Sequence, residues 1–361
     1  MQFQWHNVEE VTIDFIDNWR ALGRDASSPN VYLMPEFMLP AIRHLEADKS
    51  PRFGVVWNDD HTEMAALVSV NVVEPSLGFP YWRLSGVKSK HSYQSGILVR
   101  AGHEAEAIEC AFEQLLNDRW RALRFNELCE DSTCFRQMRR VAEQFGLRWC
   151  PDLRYERASV SLNNGAKWNE HISRSRRKNL RAARRKLSRL GDVQIGITLG
   201  SKISDETINR FLHLESLGWK AKSALVSSAT GEAFSREMLH ACREQEYLWF
   251  CELRLDDTVI ASTANFHVNG QGFAFKTGMD PEYARFSPGY LVELGFLEAA
   301  EKDRFPFLQV ESGSKPGSYI EDLWPERTAM TSGHFVCGGL AQAYMRAKNA
   351  CKRTVGLAEA V

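Results

Sequence analysis

Along this chain the spacing of apolar residues switches between a helical and an extended period, and each switch predicts an element. Val8, Val11, Phe15, Trp19 and Leu22 recur at helical spacing and predict an amphipathic helix over 8–22, broken by Ser27-Ser28-Pro29-Asn30. A second helix is expected over 33–45. Arg52–Trp57 and Glu63–Val73 carry β-branched and aromatic residues on either side of Asn58-Asp59-Asp60, which predicts paired strands around a turn. Short strands at 81–85 and 96–99 precede a helix over 105–117 and a strand over 122–128. A helix over 134–145, stopped by Gly146, and a strand over 155–162 complete the first half.

Asn163-Asn164-Gly165 is the best boundary, because three turn-forming residues separate a strand pattern from a helical one. The helix that follows starts at Trp168, carries Leu180, Ala183, Leu187 and Leu190 along one stripe, and is capped by Gly191. A strand over 193–198 and helices over 205–217 and 230–245 lead to the richest stretch. There Tyr247–Leu255 and Val259–Val268 predict a hairpin around Asp256-Asp257, and Gly272–Lys276 reads as another strand, ended by Asp280-Pro281. Ser287 is the expected N-cap of the next helix, Pro288 suits its first turn, and Gly289 leaves room for a ligand at the backbone. That helix runs to about Lys302, and Phe307–Glu311 supplies a further strand. A Gly/Ser/Pro/Lys loop over 312–318, a strand over 331–336, a helix over 341–353 and a loose end follow. The two halves share an order of elements, so an α/β chain of two domains, 1–164 and 165–361, is expected, with a basic helix at 168–190.

Composition narrows the class. At 361 residues the chain accommodates two domains with separate cores. With 44% hydrophobic and 25% charged residues it reads as globular, and no stretch approaches the ~20 uncharged apolar residues that span a bilayer. Residues 1–10 have neither the basic region nor the apolar core of a secretory signal. Eight cysteines never fall as Cys-x-x-Cys, so reduced core thiols in a cytoplasm are expected. The net charge of −1 conceals a local bias: Arg174–Arg189 holds nine Lys or Arg and no acid, and subtracting that +9 leaves −10 elsewhere. This pattern excludes a protein that coats nucleic acid over its whole surface. The helical stretch is either a solvated face or a local contact for a polyanion. No zinc-like spacing appears among the ten histidines and eight cysteines, so no metal is expected. Gly-x-x-x-x-Gly-Lys-Ser/Thr and Gly-x-Ser-x-Gly are both missing, which argues against nucleotide hydrolysis and serine hydrolase chemistry.

Three stretches carry a resemblance: Phe211–Lys220 (FLHLESLGWK), Tyr283–Leu291 (YARFSPGYL) and the basic segment 173–191. With the strand, helix, strand order around 289, they resemble the GNAT acyltransferase family, and more particularly the double-GNAT proteins called CelD-like, associated with bacterial cellulose and exopolysaccharide synthesis, and their Fem-type relatives. The resemblance implies two tandem GNAT-like domains, each a mixed, mostly antiparallel sheet flanked by helices. It also implies transfer of an acyl group, acetyl above all, from acetyl-CoA or another acyl-CoA to a sugar or amino-sugar acceptor. The alternatives are a Fem-type transferase drawing on aminoacyl-tRNA, and a catalytically silent scaffold. The usual Gln/Arg-x-x-Gly-x-Gly/Ala loop of the family is reduced here to Arg285 and Gly289.

Site residues follow from both lines of reading. A helix N-terminus after a strand offers unpartnered amides to an anion, so the pyrophosphate of the acyl-CoA is expected at Arg285, Ser287, Gly289 and Tyr290. By the resemblance, Glu215, Trp219 and Lys220 line the acceptor pocket; on the basic helix, Arg181 and Arg185 are the residues to meet a polyanionic substrate or partner unless that face is only solvated. Acyl transfer needs a base for the acceptor and an acid for the departing thiolate. Glu311, expected to emerge from its strand partly desolvated, is the candidate base, with His267 and His213 as alternatives. Tyr319 is the candidate acid.

Overall fold

The computed structural model describes residues 1–76, 79–116, 120–162, 172–217, 222–302 and 305–354. In chain order the first half holds β1 (Gln2–Asn7), α1 (Ile13–Arg24), α2 (Pro35–Leu45), β2 (Arg52–Trp57), β3 (Met64–Val73), β4 (Arg83–Gly86) and β5 (Leu98–Val99). These are followed by α3 (Glu104–Leu116), β6 (Ala122–Cys129), α4 (Thr133–Gln144) and β7 (Arg148–Ser161). The second half opens with α5 (Arg174–Leu187), β8 (Val193–Leu199), α6 (Asp205–Ser216), α7 (Ala229–Glu244), β9 (Leu248–Leu255), β10 (Thr258–Val268) and β11 (Gly270–Met279). It closes with α8 (Pro288–Ala300), β12 (Phe307–Glu311), β13 (Glu326–Val336) and α9 (Gly339–Thr354). The expected boundary at 163–165, and the expected start of the basic helix at 168, lie outside the described residues.

Two compact units interleave along the chain. One comprises Met1–Pro35, Glu46–Glu156 and Thr328–Val361; the other comprises Glu36–Leu45 and Arg157–Arg327.

In the first unit the strands lie in the order β1-β2-β3-β4-β6-β13-β7. β1 with β2, β2 with β3, β3 with β4 and β6 with β13 pair antiparallel, whereas β4 runs parallel to β6, with Arg83 facing Ala122 and Ser85 facing Arg124. The amphipathic helices α3 and α4 cover one face, burying Ile108, Phe112, Phe135 and Met138 against Leu84, Leu123 and Phe125. The apolar periodicity marks no element over residues 1–7. They form an edge strand, in which Phe3 and Trp5 alternate with polar neighbours and Trp5 pairs with Gly54. The helix expected from Val8 begins instead at Ile13, because the Thr12 side chain accepts from the Phe15 amide and fixes the N-terminus there.

In the second unit the C-terminal end of β7 starts the order β7-β12-β11-β10-β9-β8. Here too one pair is parallel: β11 with β12, Gly270 opposite Phe307 and Phe273 opposite Glu311. The series β8-β9-β10-β11-β12 thus repeats β1-β2-β3-β4-β6 strand for strand, including a helix between the fourth strand and its parallel neighbour. Unlike a surface helix, α8 is apolar nearly all round and is buried at Leu291, Val292, Leu294, Phe296 and Leu297. Gly295 allows this helix to close on β8, since a Cβ there would stand 2.3 Å from Ile195 Cδ1. Trp249 stacks on Phe307 with centroids 5.2 Å apart. On the other side of the sheet α2 inserts Phe37 among Phe234, Phe266 and Phe275, with centroids 5.6, 6.1 and 6.0 Å away.

Candidate active site

Within the second unit β11 runs on past the end of its parallel partner β12. Their parallel pairing ends at Phe273 and Glu311, while β11 continues to Met279, held on its other side by β10. Past Met279 a short 3-10 turn over Pro281–Phe286 leads to Ser287, which sits in the left-handed region at φ 53°, ψ 53°. The chain thereby enters α8 close to the far end of β11, with Met279 Sδ 3.8 Å from where a Cβ on Gly289 would stand.

Ser287 occupies the N-cap position, but its side chain makes no capping hydrogen bond, in contrast to the expected cap. Pro288 has no amide proton, and the Tyr290 and Leu291 amides both reach the Ser287 carbonyl, at 3.0 and 3.1 Å. The Gly289 amide is left with no hydrogen-bond partner among the described residues. Space around Gly289 is open: a Cβ would meet Met279 Sδ at 3.8 Å and nothing nearer. Arg285 is exposed and lies over the Phe286 ring at 4.7 Å, so the guanidinium stands at the edge of this start.

Tyr290 links that start to a polar cluster. Its hydroxyl donates to Asp322 Oδ2 at 2.9 Å, and the same carboxylate oxygen accepts Arg176 Nη2 from α5 at 2.6 Å. Arg176 also lies over the Tyr290 ring at 5.0 Å and balances the Asp322 charge. Tyr319 packs edge-on against Tyr290, centroids 4.9 Å apart, and its hydroxyl is 3.4 Å from Thr277 Oγ1 on β11. Burial, with a smaller contribution from Glu293, pushes the Tyr319 phenol up, so it stays protonated near neutrality.

Glu293 was not singled out from the sequence. It stands one turn after Tyr290 on the same side of α8, 6% exposed, close enough to Tyr319 and Cys251 to act on both electrostatically. Burial raises its carboxyl from the ordinary 4.5 to about 8. A carboxyl so displaced, on the helix that follows β11, is a candidate for proton transfer. The signal in sequence was a lone acid in the otherwise apolar run of Leu291–Leu297.

The remaining site residues are dispersed. Glu311 does not emerge from β12: its Oε1 accepts Arg157 Nη1 at 2.8 Å and the Gly313 amide at 3.0 Å, with side-chain exposures of 6% and 1% for the two ionised partners. Glu215 is buried in α6 and accepts the Leu225 amide at 2.8 Å, which pins the loop after the helix. Trp219 and Lys220 lie outside the described residues. His267 is half-buried, and burial lowers its pKa; His213 is exposed in the last turn of α6. On α5, Arg184 pairs with Glu298 at 2.7 Å, whereas Arg174, Lys178, Arg181 and Arg185 form an exposed row with no acid partner among the described residues.

The sequence from 174 to 309 matches the family described as acetyltransferase (GNAT) domain, which takes in α5 through most of β12. The matched stretch lies within the second unit and includes β11 and most of its parallel partner β12. No curated protein matches the chain. Among solved structures it is similar in fold to FemX, with a TM-score of 0.59 at 9% identity, covering 97% of this chain and 100% of that one. A conserved protein of unknown function from Bacteroides thetaiotaomicron gives 0.56 at 11% identity, over 90% and 98%. L-PGS from Bacillus licheniformis gives 0.52 at 12% identity, over 92% and 95%. Among the described residues no helix is long and apolar enough to cross a membrane.

Proposed function

We propose that the second unit transfers an acyl group, acetyl in the simplest case, from acyl-CoA to an amine or hydroxyl of a sugar or amino-sugar acceptor. The observation that carries this reading is the start of α8 just past the end of β11 that runs on beyond β12, where Gly289 has an unpartnered amide and open space in place of a side chain. A pyrophosphate fits that amide, with Arg285 at its edge, and the thioester arm runs along β11 towards Thr277. The acceptor attacks the thioester carbonyl and gives its proton to Glu293. Collapse of the tetrahedral adduct expels the thiolate, which takes the proton of Tyr319. Glu311, tied to Arg157, anchors β12 to β7 rather than moving protons. The saccharide acceptor rests on the resemblance carried by the stretches 173–191, 211–220 and 283–291.

The test is a titration with acetyl-CoA followed by melting temperature, because a ligand of the native state raises it by mass action. A saturable rise that Gly289→Trp abolishes supports the site. No rise in the parent removes acyl-CoA from the reading.

A second reading is favoured by one observation, the exposed cationic row on α5. An aminoacyl-tRNA donor, as in a Fem-type transferase, would use that row for the phosphate backbone. Measurable tRNA binding that Arg181→Glu with Arg185→Glu eliminates would support it. Acetyl-CoA binding without turnover on any saccharide or amine would favour a silent scaffold.

A further inference from the structure

In the first unit, away from the acyltransferase reading, three cationic or cation-forming side chains share one face of the sheet. Arg83 on β4 is aligned with Ala122 on β6, and Arg124, two residues further along β6, is directly opposite His334 on β13. Alternate residues of a strand point the same way, so Arg83, Arg124 and His334 stand together on one face, the two arginines as diagonal neighbours on adjacent strands. Asp152 on β7 is the one carboxylate paired with them among the described residues: 3.2 Å from His334 Nδ1 and 4.0 Å from Arg124 Nη2. Arg83 Nη1 is buried and has no hydrogen-bond partner among the described residues. The Phe79 ring lies under Arg83 at 5.7 Å and stacks on His334 at 6.0 Å, forming an apolar floor.

The electrostatics are unbalanced. Two guanidiniums face one carboxylate, and Arg124 itself works against the charge on Arg83, after burial, which is the larger cause. His334 is held neutral by burial, so it adds no second positive charge to Asp152. A half-buried guanidinium beside another cation is unfavourable unless an anion completes it. The Arg124 side chain is 37% exposed, which leaves the cluster open to solvent on that side.

We propose that Arg83 and Arg124 form an anion subsite in the first unit that takes a phosphate-sized oxyanion, bridged between the two guanidiniums, with Asp152 as the competitor the ligand displaces. Arginine pairs hold such oxygens through several charge-assisted hydrogen bonds, which sets the class of ligand as a phosphoryl or similar oxyanion. The inference stands apart from the acyl-CoA site in the other unit.

The probe is inorganic phosphate, with pyrophosphate as a second, added to the full chain in a phosphate-free buffer and followed by calorimetric titration and melting temperature. Saturable binding is expected in the parent, weakened by about tenfold or more in Arg83→Gln and in Arg124→Gln. Asp152→Asn should tighten it by removing the competing charge. Near-UV circular dichroism confirms that each variant is folded; Arg124, being half-exposed, serves if Arg83→Gln is not. Phosphate affinity unchanged in both arginine variants, or a parent that shows no saturable binding of either anion, overturns the proposal. So does a loss of the acetyl-CoA response in Arg83→Gln, which would mean that the cluster belongs to the other site.

Discussion

Arg157 Nη1 lies 2.8 Å from Glu311 Oε1, and neither side chain reaches solvent appreciably. Both residues come from strands that pair antiparallel, β7 with β12, where Ser159 is opposite Glu311. Removing one member leaves the other charge buried alone, a change that typically costs about 3–5 kcal/mol. Glu311→Gln should therefore lower the urea midpoint strongly, and Arg157→Met with Glu311→Leu should recover much of the loss. Acetyl-CoA affinity of the folded Glu311→Gln protein should stay within a few-fold of the parent. A variant as stable as the parent but slow in turnover would return Glu311 to the role of base.

Glu293 supplies a pH dependence of known sign. Its folded pKa of about 8 is raised above the ordinary 4.5, so the native state holds a proton that the unfolded chain has released between those values. Stability is full below pH 4.5, falls as pH rises towards 8, and is then flat; the total is on the order of 5 kcal/mol. Glu293→Gln should remove this slope in urea midpoints taken across the range. In turnover, a base of this kind gives a rate that climbs with pH through about 8, and the Gln variant should lose roughly 10²–10⁴ of it. A parent midpoint that does not fall over the interval would refute the assignment.

At Gly289 two substitutions should separate. Ala adds a Cβ that meets Met279 Sδ at 3.8 Å, an ordinary contact, so stability and acetyl-CoA binding should both persist. Trp fills the approach to the free amide and should abolish the acetyl-CoA shift without unfolding the protein. Equal binding by the two would remove the α8 start as the phosphate site.

Gly295 carries the opposite expectation. A Cβ placed 2.3 Å from Ile195 Cδ1 forces β8 and α8 apart, and overpacking of this sort costs about 1–3 kcal/mol. Gly295→Ala should lower the melting temperature, and pairing it with Ile195→Val should restore part of it.

Much of the fold was legible because period and punctuation agree. The β-branched and aromatic runs of β9 and β10 flank Asp256, which takes a positive φ of 51°, and the turn falls where its chemistry says. The first strand was hidden by its brevity, since six residues with Phe3 and Trp5 on one side acquire meaning only when β2 pairs with them. The site was less legible. The α8 start is local, and Pro288-Gly289 marks it. Proton chemistry is not local: Glu311 looked like a strand-end acid because its partner Arg157 is 154 positions away in sequence, and Glu293 acquires its high pKa only from the core around it. Tyr319 meets Thr277 and Tyr290 through a loop whose path no periodicity specifies.

The interleaving of the two units has a consequence for synthesis on the ribosome. Helix α2, with Phe37, leaves the exit tunnel early, yet Phe234, Phe266 and Phe275, against which it packs, are made some two hundred residues later. The first unit has the converse problem, because β13, which pairs with β6, is the last strand to emerge. The usual order, in which an N-terminal domain is finished while the next is still being translated, is closed to this chain. Apolar surface on α2 and an unpaired edge of β6 stay open until translation is nearly over, and that interval is when a chaperone has most to hold.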